Sequence, residues 1–220
     1  MASGGREIEI KLRVRDIAEM RGKLRRLRAA AGLRMFERNI LYDTPGEELR
    51  SSGRLLRIRI ESPAPVSKAA AAGRGRRSAR GLQVAARGVL TYKAPIVGMA
   101  DSSETRRYKE RQELEIEFRP AEGLEAIFRA LGFRAGFRYE KFRTEYRLTK
   151  LKDLSFDLDE TPIGDYLELE GSPAAIDRAA KLLGFKAADY ITATYGDLYV
   201  ADCRGRRITP TDLVFHRRKK

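Results

Sequence analysis

Glu7-Ile8-Glu9-Ile10-Lys11 alternates charged and apolar residues at period two, so a β-strand sends Glu7, Glu9 and Lys11 to one face and the isoleucines to the other. The same acidic alternation returns in Glu113-Leu114-Glu115-Ile116-Glu117 and in Glu168-Leu169-Glu170. Each acidic strand leads into a helical pattern. Asp16-Ile17-Ala18-Glu19 reads as a capping box opening a helix with Ile17, Met20, Leu24 and Leu27 on one face, ending near Gly32. Pro120 to Leu131 makes a second helix, closing at Gly132-Phe133, and Ser172-Pro173 starts a third that runs to Leu183-Gly184-Phe185. Other strands are expected near 37–43, 54–60, 89–94, 140–148 and 153–159, and a last helix near 191–202. The class is α+β, an antiparallel sheet with helices outside.

Basic residues follow the same design. Arg57-Ile58-Arg59, Thr91-Tyr92-Lys93, Lys109-Glu110-Arg111 and Lys141-Phe142-Arg143 each set cationic side chains on one strand face. A single strand with a charged face turns it to solvent. Acidic and basic strands recurring together point instead to a closed or strongly curved sheet with a charged interior, where charges must pair or bind ions. Guanidinium forks match phosphate oxygens, and ammonium groups act as point charges. Carboxylates suit hard cations, so one or two Mg²⁺ or Mn²⁺ ions fit this chain better than zinc.

Composition narrows the chemistry. The chain has 220 residues, enough for one domain with a tail, and carries 45 basic against 31 acidic residues for a net charge of +14. That favours anionic partners. Cys203 is the only cysteine and His216 the only histidine, which excludes an internal disulfide and a Cys/His zinc cluster, and the place of His216 in the basic tail argues against histidine-based catalysis. No apolar run is long enough to span a membrane and the first residues lack a signal-peptide core, so the expected setting is cytoplasmic with no membrane partner. Residues 61–88, rich in Ala, Arg, Gly and Ser, read as a mobile insertion, and 98–107 as a second polar loop. The folded domain is expected over 1–205, followed by a basic tail over 206–220.

Taken in order, these segments resemble the CYTH superfamily, the triphosphate tunnel enzymes, and within it the class IV adenylate cyclase-like branch. The resemblance rests on the Glu7-to-Lys11 segment (an ExExK pattern), Tyr42-Asp43-Thr44, Leu56-Arg57-Ile58-Arg59 and Leu90-Thr91-Tyr92-Lys93. It continues through Arg111-Gln112-Glu113-Leu114-Glu115, Lys141-Phe142-Arg143, and Asp159 through Gly164 to Glu168-Leu169-Glu170. It implies an eight-stranded antiparallel β-tunnel with helices outside. It implies that Lys11, Arg57, Arg59, Lys93, Arg111, Lys141 and Arg143 grip phosphates. Glu7, Glu9, Asp159, Glu168 and Glu170 would hold the metal, with Glu113 and Glu115 close by, and Glu7, Glu9 and Lys11 would be the catalytic core. The implied substrate is inorganic triphosphate, ATP or a related triphosphate. Two reactions share the machinery: hydrolysis by water, or cyclisation of ATP to cyclic AMP and pyrophosphate. A non-catalytic binder of polyphosphate, nucleotide or RNA 5′ ends is the reading from another class; nucleic acid is not favoured as a partner, and a homodimer is the family's habit.

Overall fold

Period-two alternation runs through the whole sheet. The computed structural model describes residues 3–65, 86–96, 107–119, 123–149 and 151–216. Its strands are β1 (Ser3–Val14), β2 (Ala30–Asp43), β3 (Leu55–Pro63), β4 (Arg87–Ala94), β5 (Lys109–Phe118), β6 (Arg134–Arg147), β7 (Leu154–Thr161) and β8 (Gly164–Gly171). All neighbours are antiparallel, and the sheet closes into a barrel in the order β1-β5-β4-β3-β2-β6-β7-β8. The helices are α1 (Ile17–Arg26), α2 (Glu48–Ser51), α3 (Gly123–Ala130), α4 (Pro173–Leu183) and α5 (Tyr195–Arg206). Most of the 61–88 insertion and of the 98–107 loop lies outside the described residues.

Closure turns the usual barrel inside out. Ile10 and Leu12 of β1, Phe156 and Leu158 of β7, and Leu167 and Leu169 of β8 point outward, yet almost none of their surface meets water. Met20 and Leu24 of α1 and Ile176, Ala179, Ala180 and Leu183 of α4 cover them in one cluster. Each such fully buried side chain is worth roughly 1.5–3 kcal/mol. This core, outside the barrel, leaves the interior to the charged set. On the opposite wall Phe128 of α3 packs on Tyr42 and Ile58 as a second, smaller cluster.

Local signals set the helix limits. Asp16 caps α1 by accepting from Ala18 and Glu19 backbone N–H at 2.7 and 3.0 Å. Glu19 does not complete a reciprocal box; it pairs with Lys23 at 3.1 Å. This helix ends at Arg26, not near Gly32: Arg28 takes φ 60°, the chain reverses, and Gly32 lies in β2 beside a register shift between Ala31 and Arg34. Pairing with β6 along β2 outweighs continued helix. Ser172 caps α4, Pro173 begins it, and Gly184 at φ 88° ends it in a conformation that costs glycine little. The last helix starts at Tyr195 because Ile191 is taken up in a β-bridge with Lys11 and Thr194 serves as N-cap.

The chain then returns along the barrel. Leu213 bridges Tyr139 of β6 and is 2 % exposed, and the Phe215 ring packs tilted against Phe142 with centroids 5.2 Å apart. These bridges fill the edges of β1 and β6 that the shorter β5 and β7 leave open. Among the described residues no helix is long and apolar enough to cross a membrane.

Candidate functional site

The wall made by β6, β7 and β8 carries a saturated ion-pair network. Arg143 donates to Asp159 Oδ1 and Oδ2 at 2.7 and 2.6 Å, to Asp157 at 2.7 Å, and to Glu168. Lys141 Nζ and the Tyr195 hydroxyl also donate to Asp159 Oδ2, at 2.8 and 2.7 Å. Asp159 is 0 % exposed, with both oxygens occupied by protein donors. Glu37 of β2 lies 3.4 Å from Arg59, 3.5 Å from Lys141 and 3.7 Å from Arg143. Burial alone would raise its carboxyl; those three cations hold it down at about 2. Asp157, pressed by burial and by the Asp159 and Glu168 carboxylates, is pushed up to about 6 despite Arg143.

The facing wall is different. On β1, β4 and β5, Lys93 Nζ lies 2.6 Å from both oxygens of Glu7 and 3.0 Å from Glu113. One carboxylate oxygen each from Glu7, Glu113 and Glu170 lies within 4.8 Å of the others. Among the described residues no basic side chain pairs with Glu170. Partial burial, together with the Glu7 and Glu113 carboxylates, pushes Glu170 up to about 7, although the residue is among the exposed ones. Glu113 is raised as well, by burial and by Glu7, against the pull of Lys93. Three oxygen donors converging with one ammonium among them fit a hard divalent cation.

Between the walls lies a cavity of about 260 Å³, lined by eight basic and six acidic side chains. Lys11 pairs with Glu9 at 3.1 Å and Glu168 at 3.3 Å, and Lys109 holds Glu9 at 2.6 Å. Burial opposes charge on Glu9, yet Lys11 and Lys109 keep its carboxyl well below the usual range. Arg57 donates to Thr91 at 2.9 Å and Tyr139 at 3.1 Å, and lies 3.4 Å from Glu115. Its buried Nε–H has no protein acceptor. Arg111, half-buried in the cavity wall, forms no ion pair among the described residues. Buried donors without acceptors, such as Arg57 Nε–H, are uncommon in native proteins.

All seven phosphate-binding candidates, Lys11, Arg57, Arg59, Lys93, Arg111, Lys141 and Arg143, line this one cavity. The carboxylates divide: Glu7, Glu113 and Glu170 converge, Glu9 and Glu168 are held by lysine, Glu115 accepts from Thr91 at 2.7 Å, and Asp159 is enclosed. Three residues escaped the reading of the sequence as site members. Lys109 was legible, two positions before Arg111 on the same strand face. Glu37 carried a weaker signal, its alternation with Asn39 opposite Arg59. Tyr195 carried none, because a helix residue reaches the interior only once α5 crosses the barrel end.

A family model for the CYTH domain matches residues 5–195. The Methanocaldococcus jannaschii protein named "Putative adenylate cyclase MJ0240" is 25% identical over 178 residues, covering 80% of this chain and 83% of its own. The solved structure of the Pyrococcus horikoshii protein PH1819 superposes with a TM-score of 0.64 at 22% identity, over 89% of this chain and 99% of that one. A Hippeastrum adenylyl cyclase-like protein, described as having a dominant triphosphatase activity, superposes with a TM-score of 0.55 at 20% identity, over 93% and 98% of the two chains.

Proposed function

Because the chain belongs to the CYTH domain family, we propose that it is a divalent-metal-dependent enzyme that hydrolyses a triphosphate. The observation that carries this reading is the cavity's charge design: eight bases line it, Arg111 forms no ion pair among the described residues, and three carboxylates gather at one side. A pure polyanion binder has no use for that acidic trio, which would repel its ligand.

Lys11, Lys93, Lys141, Arg57, Arg59, Arg111 and Arg143 would seat the phosphate oxygens and neutralise them, removing the charge that keeps a nucleophile away from phosphorus. The wall pairs fix where each base points. Asp159 holds Lys141 and Arg143 in place, and Glu168 holds Lys11, so the bases need no reorganisation when substrate enters. Glu7, Glu113 and Glu170 would hold a Mg²⁺ or Mn²⁺ ion, which when bound would supply positive charge against the phosphates and make water a better nucleophile. Water oxygen forms the new bond to the terminal phosphorus, the bridging P–O bond breaks, and the departing oxygen's charge is met by guanidinium and ammonium groups in the wall. Glu7, Glu9 and Lys11 are the residues whose loss we expect to stop turnover.

The test is a product assay with inorganic triphosphate and ATP supplied separately, in EDTA, Mg²⁺ or Mn²⁺, resolving phosphate, pyrophosphate and cyclic AMP. Metal-dependent phosphate release without cyclic AMP is the expected result. Cyclic AMP with equal pyrophosphate would replace hydrolysis by cyclisation, the activity named for the Methanocaldococcus relative. Binding without turnover under every condition would overturn the enzymatic reading.

A further inference from the structure

Tyr195 is the first residue of α5, and its place in the tunnel wall is fixed from several directions. Ile191, just before it in the chain, exchanges both backbone hydrogen bonds with Lys11 of β1, at 2.8 and 2.9 Å. Thr194 caps the helix by accepting from the Asp197 N–H at 3.1 Å. The Tyr195 hydroxyl donates to Asp159 Oδ2 at 2.7 Å, and its ring meets Tyr166 of β8 edge-on, with centroids 5.5 Å apart and planes at 71°. The residue is 6 % exposed.

Two ammonium groups stand over that one ring. Lys11 Nζ is 5.4 Å from its centroid and Lys141 Nζ 5.2 Å, although their strands, β1 and β6, are separated in the barrel by β7 and β8. An aromatic ring attracts a cation through its quadrupole within about 6 Å. At these distances it does so without taking up an N–H donor, of which each ammonium has three. Lys11 spends donors on Glu9 at 3.1 Å and Glu168 at 3.3 Å, and Lys141 donates to Asp159 at 2.8 Å with Glu37 3.5 Å away. At least one N–H on each lysine is left for an anion in the tunnel. Burial and the Asp159 carboxylate hold the Tyr195 phenol well above its usual range, so its proton stays committed to Asp159.

We propose that Tyr195 is a positioning residue of the phosphate site, its ring holding the Lys11 and Lys141 ammoniums where a phosphate takes the remaining N–H of each. The inference rests on the hydrolase reading above and adds to it a residue that touches no reacting atom. Carboxylates also hold the two lysines, but an entering phosphate competes with them for the same N–H groups. The ring does not compete, so it keeps both ammoniums in place while they exchange one oxygen partner for another. The anion site is thereby tied to the last helix, since the ring arrives with α5 and not with any strand.

The test reads KM and kcat for inorganic triphosphate with Mn²⁺ in the unaltered chain and in three variants whose folding is checked by circular dichroism. Tyr195→Phe keeps the ring and drops the hydroxyl. Tyr195→trifluorophenylalanine keeps the ring's shape and cancels its attraction for cations. Leu198→Ala loosens the same helix, since Leu198 packs in the cluster that holds Tyr195. Phosphate charge is present before reaction, so the loss should appear in KM and not in kcat. Expected is a rise in KM of about tenfold from the plain to the fluorinated ring, and of about threefold or less in Leu198→Ala. Equal KM for the two rings overturns the proposal, as does a rise in Leu198→Ala matching that of the fluorinated ring, which would make the effect one of helix seating. If the unaltered chain turns over no triphosphate, the hydrolase reading fails by itself, and calorimetric binding of inorganic triphosphate then decides. Affinity about tenfold weaker with the fluorinated ring than in Tyr195→Phe supports the positioning role. Equal affinities, or no binding by the unaltered chain, remove it.

Discussion

The two walls of the tunnel use the same residue types to opposite ends. On β6, β7 and β8, Arg143 and Lys141 meet Asp157, Asp159 and Glu168 so completely that Asp159 has no oxygen left to offer. Around Glu7 of β1, Glu113 of β5 and Glu170 of β8 a single ammonium, Lys93 of β4, forms ion pairs among the described residues, with Glu7 and Glu113. Charge paired within the protein frames the first region, and carboxylates outnumber their ammonium partner in the second. The number of inward acids does not separate the two; the local ratio of acids to bases does.

Breaking the saturated wall should have the largest cost to the fold. Arg143→Ala leaves Asp157, Asp159 and Glu168 facing one another without their guanidinium and should lower unfolding free energy by about 3–5 kcal/mol, read from urea denaturation. Losing less than about 1 kcal/mol would show that the frame does not depend on that pairing.

Glu7→Gln, on the unsaturated wall, should reverse the pattern. Turnover should fall by about 10²–10³-fold, as loss of a group supporting the metal-dependent step implies. Unfolding free energy should change by less than about 1 kcal/mol, since Lys93 keeps Glu113 at 3.0 Å. A stability loss matching that of Arg143→Ala would erase the distinction between the walls.

Protons sharpen the same contrast. Glu170 sits at about 7, above its ordinary value, so it is protonated at pH 6 and ionised at pH 8, and a metal must displace that proton. Mn²⁺ affinity by titration calorimetry should therefore fall about tenfold between pH 8 and pH 6, and Glu170→Gln should flatten the slope. For folding the sign runs the other way: a raised carboxyl makes the native state the better proton binder, so Glu170 withdraws stability as pH climbs through 4.5 to 7 in the absence of metal. Glu37, held at about 2, contributes stability that is present above its ordinary value of 4.5 and is lost as pH falls from there through 2.

The smallest structural effect belongs to Arg111. Without an ion pair among the described residues, Arg111→Ala should leave unfolding free energy within about 0.5 kcal/mol while raising KM for triphosphate about tenfold, the worth of one charge-assisted phosphate contact. A drop in kcat with KM unchanged would move Arg111 from ground-state binding to the transition state.

Much of this was legible in advance, and the reason is periodicity. A strand's two faces are fixed by residue parity, so Glu7, Glu9 and Lys11 had to share one face, as did Arg57 and Arg59, or Lys141 and Arg143, whatever the fold. The acidic-strand-then-helix repeat likewise survives as β1–α1, β5–α3 and β8–α4. Helix ends were read less well where a competing pairing decided them. Arg28 reverses the chain early because β2 continues pairing along β6, and Ile191 leaves the last helix for a bridge to Lys11.

The sequence by itself determined which side chains share a face, that the charged faces carry both signs, and that the helices have apolar stripes to lay on the other side. It determined no distances between strands remote in the chain. Whether Glu7 would meet Glu113 and Glu170, and whether Asp159 would be open or locked under Tyr195, depended on barrel closure and on α5 crossing its end. Parity is a local property of the backbone and is written in every pair of neighbouring residues. Which charges neutralise one another is set by register across strands a hundred residues apart, and only the folded barrel fixes that register.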